Sequence, residues 1–324
     1  MRLEMKILLA GLMAAGVKGG AAAHAWDVPP ATNAARCLVP EGWDAVTKDH
    51  PRYVIFGEQH GIVESPALVG DVACALAAKG KRVLVGVELA SDEDGALQSA
   101  WKGPHDRFAH AVIAGMPDWN DHSGVTSQAL LALLVRLHAL KKAGAAIDVV
   151  AFDGIKDAAQ AARFSGLPLQ GPNEAAQAEN IRVAAEAGDY DQVLVLVGNF
   201  HAQRRPFKRY GRSFEPMAMR LARSGTVVSL ELVYGNGTGW GCRLRPGVTL
   251  VNGPRDIKPG DMLCASHPLS GRSGVSGERR VGLWPTAWQR ADDAAYDGYA
   301  WVGPAHVSVP AVETVGESAG GSSK

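Results

Sequence analysis

Arg52-Tyr-Val-Ile-Phe-Gly-Glu-Gln-His-Gly61 and Val193-Leu-Val-Leu-Val-Gly-Asn-Phe-His201 are the two stretches whose reading decides the fold. Each begins as a short apolar run and ends in G-x-x-H, with the imidazole just past the run. Continuous apolar runs rich in Val, Ile and Leu are what parallel strands covered on both faces require. In open α/β sheets the carboxyl ends of the strands are where ligands and reactive groups collect. Two histidines placed alike, about 140 residues apart, point to one site assembled from distant segments.

Working outward, the same pattern recurs. Strands are expected over 52–56, 82–87, 147–152, 193–197 and 226–232, alternating with helices over 65–79, 127–143, 174–187 and 217–223. Ser65 reads as an N-cap with Pro66 at the first helical position and Gly80 just past the end. Leucines at 130, 131, 133, 134, 137 and 140 mark the buried stripe of the helix over 127–143. Such alternation predicts a doubly wound, mainly parallel α/β sheet. The 60 or so residues between the second and third strands exceed one crossover, so residues 90–126 read as a helical insertion. Its polar loop, Pro117 to Gly124, carries Trp119 and His122 and is a candidate substrate-contacting element. After Tyr234, Gly and Pro become frequent. Residues 26–234 thus form the α/β domain, 235–310 a β-rich C-terminal extension with a strand over 300–302, and 311–324 a Gly/Ser-rich tail expected to be disordered.

Of 324 residues 47% are hydrophobic and 20% charged, with 33 cations balancing 33 anions. A balanced charge gives no basic excess for nucleic acid. Residues 1–25 read as a signal peptide: Arg2 and Lys6, an apolar stretch over 7–17, then Ala23-His24-Ala25. No cysteine lies near that cleavage site and no segment is long and apolar enough to span a bilayer, so the expectation is a periplasmic or secreted protein. Cys37, Cys74, Cys242 and Cys264 are then expected as two disulfides. Of the three connectivities the local one, Cys37–Cys74 with Cys242–Cys264, is the simplest, and each loop would stabilise by roughly 3–4 kcal/mol.

The polar residues at the strand ends supply the chemistry. Glu58 and His60 follow the first strand, Glu88 ends the second, Asp153 follows the third and His201 the fourth. Imidazoles and carboxylates together suit water activation. With His60, Glu88 and His201 as ligands the set could hold Zn, Mn or Co with an open position. Without metal the same groups supply a base, an orienting acid and an electrostatic clamp. No G-x-S-x-G elbow or P-loop occurs. As rim residues facing a cleft, His60 and Glu88 are expected to be removable with little loss of stability.

These residues also carry a resemblance. Phe56-Gly-Glu-Gln-His-Gly61 with Glu64 resembles the "GE…HG…E" motif of the erythromycin-esterase/ChaN-like superfamily. Glu88 matches its second acidic position, Ala178-Glu179-Asn180-Ile181 resembles its "MAEN" helix, and Gly198 to His201 its late histidine motif. The paired G-x-x-H segments are similar to the Tiki/TraB-type group. The resemblance spans about residues 50–235 and implies Glu64 as a further site residue, beside Trp119, His122 and Asp153 as substrate contacts. Two departures are visible. The Glu58-Gln59-His60 spacing is the shorter one of ChaN and Tiki, and Asn173-Glu174 stands where an Arg-Asp pair precedes "MAEN". The superfamily therefore implies two functions. One is a hydrolase acting on an ester or amide, in a small molecule or a peptide, through Glu58, His60, Glu88 and His201. The other is a haem- or iron-binding uptake protein of the ChaN type. Oligomeric state is left open.

Overall fold

A computed structural model of the chain describes residues 37–209, 211–249, 258, 260–272, 276–284 and 295–312. They belong to one compact unit. The signal-peptide reading, and residues 313–324 of the expected tail, lie outside them. Ala311 itself is buried, and its N–H donates to the Thr126 carbonyl at 2.9 Å.

The expected strands form, each running one to three residues further at its carboxyl end: β1 Tyr53–Glu58, β2 Val83–Ala90, β3 Ile147–Asp153, β4 Gln192–Gly198 and β7 Val227–Gly235. The intervening short hairpin is β5 Phe207–Arg209 with β6 Arg212–Phe214. The extension adds β8 Gly237–Leu244, β9 Met262–Leu269, β10 Arg280–Leu283 and β11 Gly298–Pro304. The central sheet has the order β10-β11-β7-β1-β4-β2-β3. Every pairing in it is parallel except β10 with β11. β1, β4 and β2 therefore lie side by side, and their carboxyl ends share one rim.

Helices cover both faces, as continuous apolar strands demand. On one face Val54, Phe56, Val85 and Leu196 pack against α2 (Glu64–Ala78), α3 (Asp94–Lys102), α4 (His105–Gly115) and α5 (Gln128–Lys142). On the other, Tyr53, Ile55, Val195 and Val197 meet α7 (Gly171–Ala187) and α8 (Met217–Leu221). A four-residue α1 (Trp43–Val46) and α6 (Ala158–Phe164) complete the set. The insertion after β2 is α3, α4 and two short 3₁₀ turns.

Two helix starts differ from the sequence reading. α2 begins at Glu64, and Ser65 is not its cap but a buried residue of the first turn. α7 begins at Gly171 rather than 174, with Pro172 in its first turn. That places Glu174 at a helix N-terminus, which matters for the site.

β10 and β11 extend the sheet beyond β7, while β8 and β9 form a separate antiparallel ribbon. Both disulfides have the local pairing, Cys37–Cys74 and Cys242–Cys264. The second joins directly opposed residues of β8 and β9. The extension reaches back over the loop that follows β1. Gly61 there has φ +78°, and its carbonyl accepts N–H groups from Trp240 (2.9 Å) and Ser308 (2.8 Å). A Cβ on Gly61 would lie 2.2 Å from the Trp240 carbonyl oxygen. Left-handed backbone and contact with another backbone leave room only for glycine. Gly61→Ala should therefore destabilise the protein by at least about 2 kcal/mol, read as a lowered midpoint in denaturant titration; an unchanged midpoint would show that the extension does not bear on this loop.

Candidate active site

Glu88 is the centre of the cluster. It lies near the carboxyl end of β2 where the register with β3 shifts, between Val87 and Ala90, an irregularity of the kind that re-aims a side chain at a sheet rim. Its carboxylate accepts the Gly198 N–H at 2.5 Å. One oxygen lies 3.5 Å from Nε2 of His60 and the other 3.4 Å from Nε2 of His201. Each ring is anchored from behind: Nδ1 of His60 lies 3.1 Å from Glu58, and Nδ1 of His201 lies 2.8 Å from Glu174. The result is two Glu–His dyads facing one another across a shared carboxylate. A carboxylate at Nδ1 fixes the tautomer and leaves Nε2 as the working nitrogen.

Glu174 escaped the sequence reading as a site residue. It is 0% exposed, and its second oxygen accepts the Met217 N–H at 2.8 Å. The available signal was its position, at the acidic place of the pair that precedes the "MAEN"-like stretch. Within that stretch Asn180 is structural. Its amide donates to the carbonyls of Phe152 and Gly154 at 3.1 and 3.0 Å and holds the loop after β3.

Electrostatics follow from this crowding of carboxylates in a buried place. Burial disfavours charge on His60, but Glu88 and the hydrogen-bonded Glu58 outweigh it and raise its pKa to about 9. For His201, burial is likewise overcome by Glu174 and Glu88, and its pKa is raised. Glu88 is raised by its own burial, with His60 and His201 pulling the other way. Asp153 also raises both imidazoles and Glu88 from nearby, and it accepts a hydrogen bond from Gln177 at 2.6 Å.

The structure thus brings Glu58, His60, Glu88 and His201 together, with Asp153 beside them. Three other expected residues make contacts of a different kind. Trp119 is 0% exposed and packs in the hydrophobic core, because the 3₁₀ turn over Pro117–Asn120 rolls its large apolar ring inward. It does not contact a cleft. The carbonyl of His122 accepts the Trp240 indole N–H at 2.8 Å, so this residue serves the docking of the extension. Glu64 binds the His306 N–H at 3.1 Å and its Nδ1 at 2.6 Å. On the β7 side of the cluster Gln59, Asn199, Tyr234, Ser270 and Arg272 help to line a small cavity of about 100 Å³.

No group of three or more His, Cys, Asp or Glu among the described residues is disposed to hold an ion. Both Nδ1 atoms are held by carboxylates, and each Nε2 faces a different oxygen of Glu88. The expected His60–Glu88–His201 ligand set is, in this geometry, a pair of carboxylate–imidazole contacts.

Two outcomes follow. Gly198 has no room for a side chain, since a Cβ would lie 2.8 Å from Nε2 of His60 and 3.5 Å from Glu88. Gly198→Ala should push the His60 ring off Glu88, and a histidine titration followed by NMR should show the His60 pKa falling from about 9 towards its ordinary range. The raised His60 pKa is also a stability term. The unfolded chain has the ordinary value near 6.5, so the contribution is complete below about pH 6.5 and is lost as pH rises through about 9. Denaturation midpoints should fall over that interval, and the fall should be smaller in His60→Gln.

Among known proteins, no family model and no curated protein matches the sequence. Solved structures do. A mutant of erythromycin esterase EreC in its open conformation superposes with a TM-score of 0.57 at 12% identity, covering 82% of this chain and 94% of that one. A protein described as a succinoglycan biosynthesis protein superposes with a TM-score of 0.53 at 10% identity, covering 86% and 94%. The chain has the EreA/ChaN-like fold.

Proposed function

We propose that the protein is a hydrolase that activates water with His60 and cleaves an ester or amide. The observation that carries this reading is the pair of opposed Glu–His dyads, each with Nδ1 on a buried carboxylate and Nε2 turned to the shared Glu88. His60 is the more exposed of the two imidazoles, at 23% of its side chain against 17% for His201, and is taken as the base. In its neutral form Nε2 takes a proton from water as the oxygen attacks the carbonyl carbon. Glu58 and Glu88 stabilise the imidazolium that results. His201, whose pKa is raised by Glu174 and Glu88, donates a hydrogen bond from Nε2 in its protonated form to the carbonyl oxygen as negative charge develops there. Collapse of the tetrahedral intermediate breaks the bond to the leaving group, which recovers the proton from His60. The fold it shares with an esterase supports the reading. The three carboxylates set around the two imidazoles supply the charge that proton transfer needs and that haem or iron binding does not require, which favours the hydrolase reading.

A base with a pKa of about 9 is mostly protonated at neutral pH, so the rate should be limited there by its neutral fraction. On a substrate found by screening 4-nitrophenyl esters, lactones and peptide amides, kcat/KM should rise about tenfold per pH unit and level off near pH 9. His60→Ala should lower it by about 10²–10⁴-fold. Glu88→Gln removes the largest influence that raises the pKa, so the residual activity should level off at a lower pH. Because Glu88 is buried and partnered, contrary to the expectation for a cleft-facing rim residue, this variant should also lose roughly 1–3 kcal/mol of stability. An inflection that does not move in Glu88→Gln would sink His60 as the base. Tight binding of haemin without turnover in any screen would replace the hydrolase reading with the binding one.

A further inference from the structure

Each G-x-x-H turn carries one carboxamide, Gln59 next to His60 and Asn199 two residues before His201. Both residues are exposed, and neither side-chain amide has a hydrogen-bond partner among the described residues. Both line the small cavity on the β7 side of the dyads, where Glu231, Tyr234, Ser270 and Arg272 form much of the opposite wall.

The backbone around this cavity is fixed. The Asn199 N–H donates to the Glu58 carbonyl at 2.8 Å, and its own carbonyl accepts the Tyr296 hydroxyl at 2.6 Å. Opposite, the Arg272 N–H donates to the Tyr234 carbonyl at 2.8 Å and the Gly271 N–H to the Asn236 side chain at 2.9 Å. A Cβ on Gly271 would lie 2.1 Å from the Gly235 carbonyl carbon, so only glycine lets this segment lie against the end of β7. The Arg272 side chain is 7% exposed, sits over the Trp284 ring at 4.2 Å and faces Glu231 at 3.8 Å. Fixed walls with unsatisfied polar side chains aimed between them are the mark of a preformed ligand pocket.

The chemistry of the wall selects the ligand. Arg272 and Glu231 offset one another, so a charged group entering between them would lose water without gaining a counter-ion. Gln59, Asn199, Ser270 and Tyr234 are neutral, and each can both donate and accept. Hydroxyls on adjacent carbons match such a set, because each oxygen donates and accepts at once and turns its proton to suit its partner. An apolar group would instead cover the amides and leave them unpaired.

We propose that this cavity holds the hydroxyl-bearing part of the substrate, a sugar or another polyol, while the bond to be cleaved lies at His60 and His201. The proposal rests on the hydrolase reading only in calling the ligand a substrate; the pocket is testable without turnover. Methyl α-glucopyranoside, glycerol, acetamide and acetate, titrated into the ¹⁵N-labelled full chain and followed by NMR at the side-chain amides of Gln59 and Asn199, are suitable probes. At least one of the two hydroxyl compounds should shift both signals saturably, with acetamide and acetate shifting them less. Gln59→Leu and Asn199→Leu should each weaken that binding by about fivefold or more with Tm unchanged, binding being followed through the remaining amide. The contrast among probes in the wild type needs no variant and carries the test should either variant unfold. No shift by either hydroxyl compound, an equal response to acetamide or acetate, or equal binding by folded variants overturns the proposal. If esters are turned over, kcat/KM for glycerol monoacetate should exceed that for ethyl acetate by about tenfold or more, and a ratio near one overturns it too. Saturable binding of a hydroxyl compound while every hydrolysis screen fails would leave this pocket standing and remove the hydrolase reading; turnover of ethyl acetate without such binding would do the reverse.

Discussion

A carboxylate buried between two imidazoles is the constraint around which this rim is organised. An ionised Glu88 withdrawn from water is costly unless it is paired and hydrogen-bonded. The fold supplies both: His60 and His201 on either side and the Gly198 N–H at the end of β4. Those partners in turn need fixing, and Glu58 and Glu174 hold the two rings from behind. Each of the five side chains is thus oriented by another. The arrangement is closed, with its two more solvent-accessible members being the imidazoles that could work on a substrate.

The surrounding architecture serves to keep that arrangement rigid. β1, β4 and β2 are adjacent and parallel, so four of the five residues stand at or just past neighbouring strand ends. Gly198 lets the His60 ring approach the backbone of β4. The C-terminal extension contributes from outside, with Trp240 and Ser308 bonding to the Gly61 carbonyl just after His60. Two elements that look peripheral, a β-ribbon and a hairpin after His201, therefore each touch the loops that carry the imidazoles.

The chemistry that results depends on charge balance. Carboxylates outnumber imidazoles in the cluster, so both histidines hold protons more strongly than usual. One consequence is opposed trends with pH: raising it frees the base and at the same time removes part of the electrostatic stability of the fold.

What the sequence determined by itself was set by local and periodic signals. Five short continuous apolar runs alternating with helical patterns read as buried strands, because parallel strands covered on both faces need apolar residues throughout; four of them lead into Glu58, Glu88, Asp153 and His201, which were legible on that ground. The even count of four cysteines pointed to two disulfides, and closeness along the chain to the local pairing that forms. Tertiary structure alone decided the rest. Glu174 joins the site through a helix that begins three residues earlier than its propensity suggests, and nothing in the chain near residue 174 shows that His201 lies next to it. Trp119 sits in a polar stretch and reads as exposed, yet the fold buries it because a large ring stabilises most where it leaves water. Whether His60, Glu88 and His201 surround an ion or pair among themselves turns on distances of a few ångströms between three strands, which side-chain order along the chain does not encode.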